Sequence, residues 1–153
     1  MIKHICNFAN GSGARIALED GRSSILEIVT PLLSVTLVRG LCKSPLHPIS
    51  PVEDLYIAHQ HRHRGFIIVN PQWLQVLLPF TAVKNFYLSK EFAPGIAAAL
   101  QELVRGRATE VLPNLQNVFV EGFEPLGPFQ EKIGLFDTAR QLSGHPVAIS
   151  IRE

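Results

Sequence analysis

Three stretches of the chain repeat one pattern of apolar and polar positions. Each has an apolar residue, two polar residues, then apolar–aromatic–apolar. They are Pro51–Ala58 (PVEDLYIA), Thr81–Ser89 (TAVKNFYLS) and Asn114–Glu121 (NLQNVFVE). The first apolar positions are Val52, Val83 and Leu115, spaced by 31 and then 32 residues. The later apolar pairs are Leu55 and Ile57, Phe86 and Leu88, and Val118 and Val120, with Tyr56, Tyr87 and Phe119 between them. Side chains alternate between the two faces of a strand. Leu55 and Ile57 therefore share one face, and Tyr56 takes the other with Asp54 and Ala58. A strand motif recurring at near-constant spacing is the sequence signature of stacked repeats.

Taken in order, residues 1–13 carry little pattern and end in a turn, Asn10-Gly11-Ser12-Gly13. Arg15–Glu19 (RIALE) predicts a short strand, and Asp20-Gly21 turns the chain. Ser23 or Ser24 then caps a predicted short helix carrying Ile25, Leu26, Ile28 and Val29, which Pro31 ends or bends. Leu33–Arg39 (LSVTLVR) is β-branched and predicts a strand, a fourth copy of the motif, with Val35 and Leu37 toward the core. Pro45, Pro48 and Pro51 make the next connection an irregular crossover.

Asn70-Pro71 supplies a cap and a first helical position. Trp73, Leu74, Leu77 and Leu78 then fall on one face, and Pro79 closes the helix. A second helix begins near Ala93-Pro94, with Ile96, Leu100, Leu103 and Val104 as its apolar flank. Gly106 interrupts it, and Ala108–Leu112 adds another turn before Pro113. Gly127-Pro128 starts a last helix with Phe129, Ile133 and Phe136 at helical spacing, and Gly144 stops it. His145–Ile151 alternates as a final strand.

Strands alternating with helices predict a parallel sheet joined by right-handed crossovers. The polar residues inside the strands (Glu53, Asp54, Lys84, Asn85, Gln116, Asn117) speak against helices on both faces, which would make the strands continuously apolar. The expected fold is therefore α/β: an open, solenoid-like parallel sheet of about five to six strands with helices on the convex face, leucine-rich-repeat-like. Its strands are expected near 15–19, 33–39, 52–58, 83–89, 115–121 and 146–151, in a single domain over 1–153. No polar capping unit is evident before the RIALE strand.

Composition narrows the function classes. With 153 residues, 46% apolar and 18% charged, the chain can bury a core and is too apolar to be disordered. A net charge of +1 gives no reason to expect a nucleic-acid partner. There is no apolar run of about 18 residues and no signal-peptide pattern, so the expectation is an intracellular, cytoplasmic or nuclear protein without membrane attachment. Cys6 and Cys42 form neither a disulfide framework nor a metal spacing. No phosphate loop or nucleophile elbow occurs, so no catalytic residue, cofactor or metal ligand is assigned.

The candidate site is a face. In register it would show Thr36, Tyr56, Tyr87, Phe119 and Ser150 as a row across five strands. Asp54, Asn85 and Asn117 flank that row on one side, and Ala58, Ser89 and Glu121 on the other. Aromatic rings beside amides and acids suit protein binding, and the same rings would also stabilise a sheet by cross-strand pairing. The binding candidates are Thr36, Asp54, Tyr56, Asn85, Tyr87, Asn117, Phe119 and Glu121, with an unidentified protein as partner. His59, His61 and His63 alternate and are conceivable metal ligands, although a solvated loop with Arg62 and Arg64 describes them better. Two other readings stay open. One is a small α/β enzyme or metal domain with a site at the carboxyl ends of the strands, near His59, His61 and Ser89. The other is a truncated remnant without independent function.

The block from Asn70 to Ile151, with WLQVLLPFTAVKNFYLS, LPNLQNVFVEG and ARQLSGHPVAIS, resembles the C-terminal part of F-box-type proteins of mushroom-forming fungi (Agaricomycetes). Those carry an N-terminal F-box followed by irregular leucine-rich-like repeats. The resemblance is strong over residues 51–151 and weak before residue 30. Its motifs carry no chemistry. It implies the substrate-recognition part of an SCF-type ubiquitin ligase adaptor. No F-box pattern is found in the sequence, so direct binding to the SCF adaptor is not expected.

Overall fold

The computed structural model describes residues 2–7, 13–19, 23–30, 52–59, 73–90, 92–121 and 128–152. Among the described residues, seven strands form one sheet in chain order. They are β1 (Ile2–Asn7), β2 (Gly13–Glu19), β3 (Ser23–Thr30), β4 (Val52–His59), β5 (Asn85–Ser89), β6 (Asn117–Glu121) and β7 (Ala148–Arg152). Among the described residues the helices are α1 (Trp73–Leu77), α2 (Ala93–Gln101) and α3 (Pro128–Leu142). β4 to β7 make a four-stranded parallel ladder, with helices in the connections between consecutive strands. β3 pairs parallel with β4, while β1–β2 and β2–β3 pair antiparallel.

The first part of the chain departs from the expected all-parallel sheet of five to six strands. Residues 23–30, expected as a short capped helix, are strand β3. Ile25, Leu26, Ile28 and Val29 satisfy a helical period and a doubly buried strand equally well, and pairing on both edges decides it. The segment before β2, which carries little pattern, contributes β1. The strand expected at 33–39 lies outside the described residues, and β3 occupies the position next to β4 that was expected for it.

From β4 onward the strands follow the motif. Leu55, Ile57, Phe86, Leu88, Val118 and Val120 are buried on one face. They join Val76, Leu77, Ile96, Ala97, Leu100, Ile133 and Phe136 of the helices in a single core. Each such side chain contributes roughly 1.5–3 kcal/mol on burial. Val83 and Leu115, the first apolar positions of their copies, precede the strands and are also buried. The ladder starts before them: the Lys84 amide donates to the Glu53 carbonyl at 2.8 Å, and the Gln116 amide to the Lys84 carbonyl at 2.8 Å. In α1 the buried residues are Trp73, Val76 and Leu77, and Leu78 is exposed, so the helix is rotated from the expected face.

Two contacts fix the helix layer. The Trp73 indole meets the Phe92 ring edge-on, 5.6 Å between centroids at 72°. A Cβ at Gly95 would lie 2.7 Å from the Trp73 Nε1, so the glycine lets α2 approach the indole. α3 ends as expected at Gly144, whose φ of 79° is the left-handed conformation glycine adopts without cost. His145 donates to the Arg140 carbonyl at 2.9 Å and Gly144 to that of Gln141 at 3.0 Å, a Schellman closure.

Arg140 is fully buried. Its Nε donates to the His145 carbonyl at 3.0 Å, its Nη1 to those of Ala108 and Leu112 at 3.3 Å, and its Nη2 to that of Leu115 at 2.8 Å. The planar guanidinium has five donors in a fixed fork, and here it collects the carbonyls of the turns between α2 and β6. Burial pushes its pKa down from the ordinary value, yet a guanidinium stays charged at neutral pH. The segment it holds includes Leu112, a non-glycine residue at φ 51°. Arg140 thereby sets where β6 begins, and so where Asn117 and Phe119 stand.

Candidate interaction face

Because the buried residues alternate, Asp54, Tyr56 and Ala58 of β4 turn to the face away from the helices, with their counterparts on β5 and β6. Register places Tyr56 beside Tyr87, Tyr87 beside Phe119, and Phe119 beside Ser150. The Tyr56 and Tyr87 rings stack at 4.0 Å between centroids and 3° between planes, and Tyr87 and Phe119 at 4.6 Å and 15°. All three are half-buried. Such ring pairs contribute roughly 0.5–1.5 kcal/mol beyond their burial, so part of their role is to hold the strands in register.

Beside the rings runs a row of hydrogen-bonded polar side chains. Asn85 Nδ2 donates to Asp54 Oδ1 at 2.7 Å, and Asn117 Nδ2 donates to Asn85 Oδ1 at 2.8 Å. The direction is fixed chemically. An ionised carboxylate can only accept, so Asn85 turns its nitrogen to β4 and its oxygen to β6. One residue before Asp54 and Asn85, Glu53 Oε1 and Lys84 Nζ pair at 3.0 Å, both partly exposed. On the other side of the rings, Ala58 and Ser89 are half-buried and Glu121 is exposed.

The expected row of rings and the Asp54, Asn85 and Asn117 column thus come together on one face. Thr36 lies outside the described residues. Its place in the row is a register position taken by Glu27 of β3, opposite Tyr56. The reason is that the strand beside β4 comes from residues 23–30. His59 ends β4, while His61 and His63 lie outside the described residues. Among the described residues, no three His, Cys, Asp or Glu side chains are grouped as a metal would need. No helix among them is long and apolar enough to cross a membrane.

Sequence reasoning missed the Glu53–Lys84 pair and the hydrogen bonds along the polar row. Their signal was present in the 31-residue separation of both Glu53–Lys84 and Asp54–Asn85, the same as that of the repeat. It also missed Arg140, which sits in helical register with Ile133 and Phe136 and reads as an interruption of their apolar stripe.

Compared with protein-family models, with curated proteins and with solved structures, the chain matches none.

Proposed function

We propose that the chain is a protein–protein interaction module, leucine-rich-repeat-like in build, that binds another protein on the face carrying Tyr56, Tyr87 and Phe119. The observation that supports this best is the coincidence of those rings with the Asp54–Asn85–Asn117 row on the side of the sheet away from the helices. Rigid aromatic area with adjacent polar groups of fixed direction is what protein contact surfaces use. Resemblance to the repeat region of fungal F-box-type proteins points the same way, to the substrate-recognition half of an SCF-type ligase adaptor, with the ligase-docking function supplied elsewhere.

The test is affinity capture from a fungal-cell extract with the wild-type chain and with Tyr56→Ala, Tyr87→Ala and Phe119→Ala combined. A partner held by the wild type and lost by the triple variant, with a cooperative melt retained, is the expected result. Capture unchanged in the triple variant would remove the face from consideration. Should the triple variant unfold, Tyr87→Arg alone blocks contact while leaving two rings in place, and it decides the same question.

A further inference from the structure

Resting on that reading, we propose that Asp54 receives a basic side chain of an extended partner segment, whose backbone hydrogen-bonds to Asn85 and Asn117.

The charges of this face motivate the assignment. In the ring row, Glu27 takes the register position beside Arg15. In the row beyond, Glu121 takes the position beside Arg152. Each of these charges has an opposite one on the adjacent strand. Asp54 does not. Among the described residues its row runs Lys3, Ala17, Ile25, Asp54, Asn85, Asn117, Ala148. The residues paired with Asp54 on the adjacent strands, Ile25 and Asn85, are uncharged, and Lys3 stands three strands away on β1. The nearest described cation in sequence register, Lys84, is engaged with Glu53.

The valences of the row define what it can hold. Asp54 spends Oδ1 on Asn85, and its Oδ2, which shares the carboxylate charge, remains an acceptor. A half-buried carboxylate of this kind favours a charge-assisted partner, an ammonium or a guanidinium. Asn85 and Asn117 each spend one of two amide hydrogens along the row, so a second remains for a backbone carbonyl. At Asn117 the Oδ1 also remains for a backbone amide. The three lanes span roughly 10 Å at the usual strand spacing, which an extended segment covers in about three residues. A peptide with a basic residue at the β4 end satisfies every one of these groups, whereas a small amine satisfies only the first.

The test pans the 153-residue chain against a random linear-peptide phage library, then measures synthetic copies of the best binders by fluorescence polarisation. Binders are expected to carry Arg or Lys, and Arg→Lys exchange in the peptide tells which cation is preferred. Asp54→Asn should weaken binding by about tenfold. Exchanging the peptide's basic residue for Gln should do the same, and the two changes together should cost no more than either alone. Asp54→Asn keeps the acceptor for Asn85, so its melt should match the wild type. Binders that depend on Tyr87 yet lack a basic residue, or ignore Asp54→Asn, overturn this inference and leave the interaction face standing. A library that yields no binder sensitive to Tyr87→Ala overturns both.

Discussion

Phe86 and Tyr87 are neighbours in one strand and are held by different forces. Phe86 is fully buried among helix and strand residues that close around it from several sides. Tyr87 is half-buried and contacts the rings of Tyr56 and Phe119 laterally, along the sheet. The same contrast holds at every lane from β4 to β6. One face is stabilised by volume filled between two layers, the other by side chains paired within one layer. Losing a side chain from the first leaves a cavity, while losing one from the second leaves a gap that water enters. The second face is therefore the one free to vary without loss of the fold.

The largest expected effect tests this contrast directly. Phe86→Ala should lower unfolding free energy by about 3–5 kcal/mol. Tyr87→Ala should cost about 1–2 kcal/mol, since it loses two ring contacts but creates no buried cavity. Urea unfolding of both variants measures the difference. Equal losses would mean that the ring row is as structural as the core, and that the two faces do not divide the work.

Next in size is Arg140, which serves the ring face from within the core. Arg140→Ala strands the carbonyls of Ala108 and Leu115 and removes one of two donors from that of Leu112, which keeps the Leu115 amide. At about 1–3 kcal/mol for each of the two buried carbonyls left unpaired, a total loss of about 2 kcal/mol or more is expected. Arg140→Lys should recover only part, because an ammonium cannot reproduce the planar fork. Chemical-shift changes of Asn117 and Phe119 in the lysine variant would show that the guanidinium positions β6 as well as stabilising it.

A smaller effect separates helix packing from helix propensity. Glycine to alanine inside an exposed helix normally gains about 1 kcal/mol. At Gly95 the new Cβ meets the Trp73 indole at 2.7 Å, and a rigid ring in a packed layer cannot give way cheaply. Gly95→Ala is expected to cost about 1–3 kcal/mol instead. Trp73 is the single tryptophan, so its emission reports the displacement without ambiguity.

These sites also mark where the sequence could be read and where it could not. β4, β5 and β6 were legible because each repeats one pattern of apolar and polar positions, and the near-constant spacing of the copies, 31 and then 32 residues, carried the register of Tyr56, Tyr87 and Phe119. β3 was not, because Ile25, Leu26, Ile28 and Val29 fit both periods and only pairing partners distinguish them. Asp54, Asn85 and Asn117 were visible as a column but not as a hydrogen-bonded row with a fixed direction, which depends on side-chain reach. Arg140 was invisible for a deeper reason. Its partners are backbone carbonyls, and a carbonyl has no letter in the sequence.

The smallest effect comes from a contact on neither face, and it calibrates how little an isolated surface pair contributes next to the paired rows. Arg107 and Glu110, both exposed, join through two hydrogen bonds in the connection between α2 and β6. The bond from Arg107 holds the Glu110 carboxyl below its ordinary value. A carboxyl whose folded pKa lies below its unfolded one adds stability above the unfolded value, and that increment is lost as pH falls through the folded value. The wild type should therefore melt slightly above Glu110→Gln at neutral pH, and the gap should close in acid. Solvent screening keeps the gap small, and added salt should narrow it further at neutral pH. A gap that persists in acid would mean that Glu110 acts through packing rather than charge. The Asp54–Asn85 bond, half-buried and within a row, should resist salt where this pair yields.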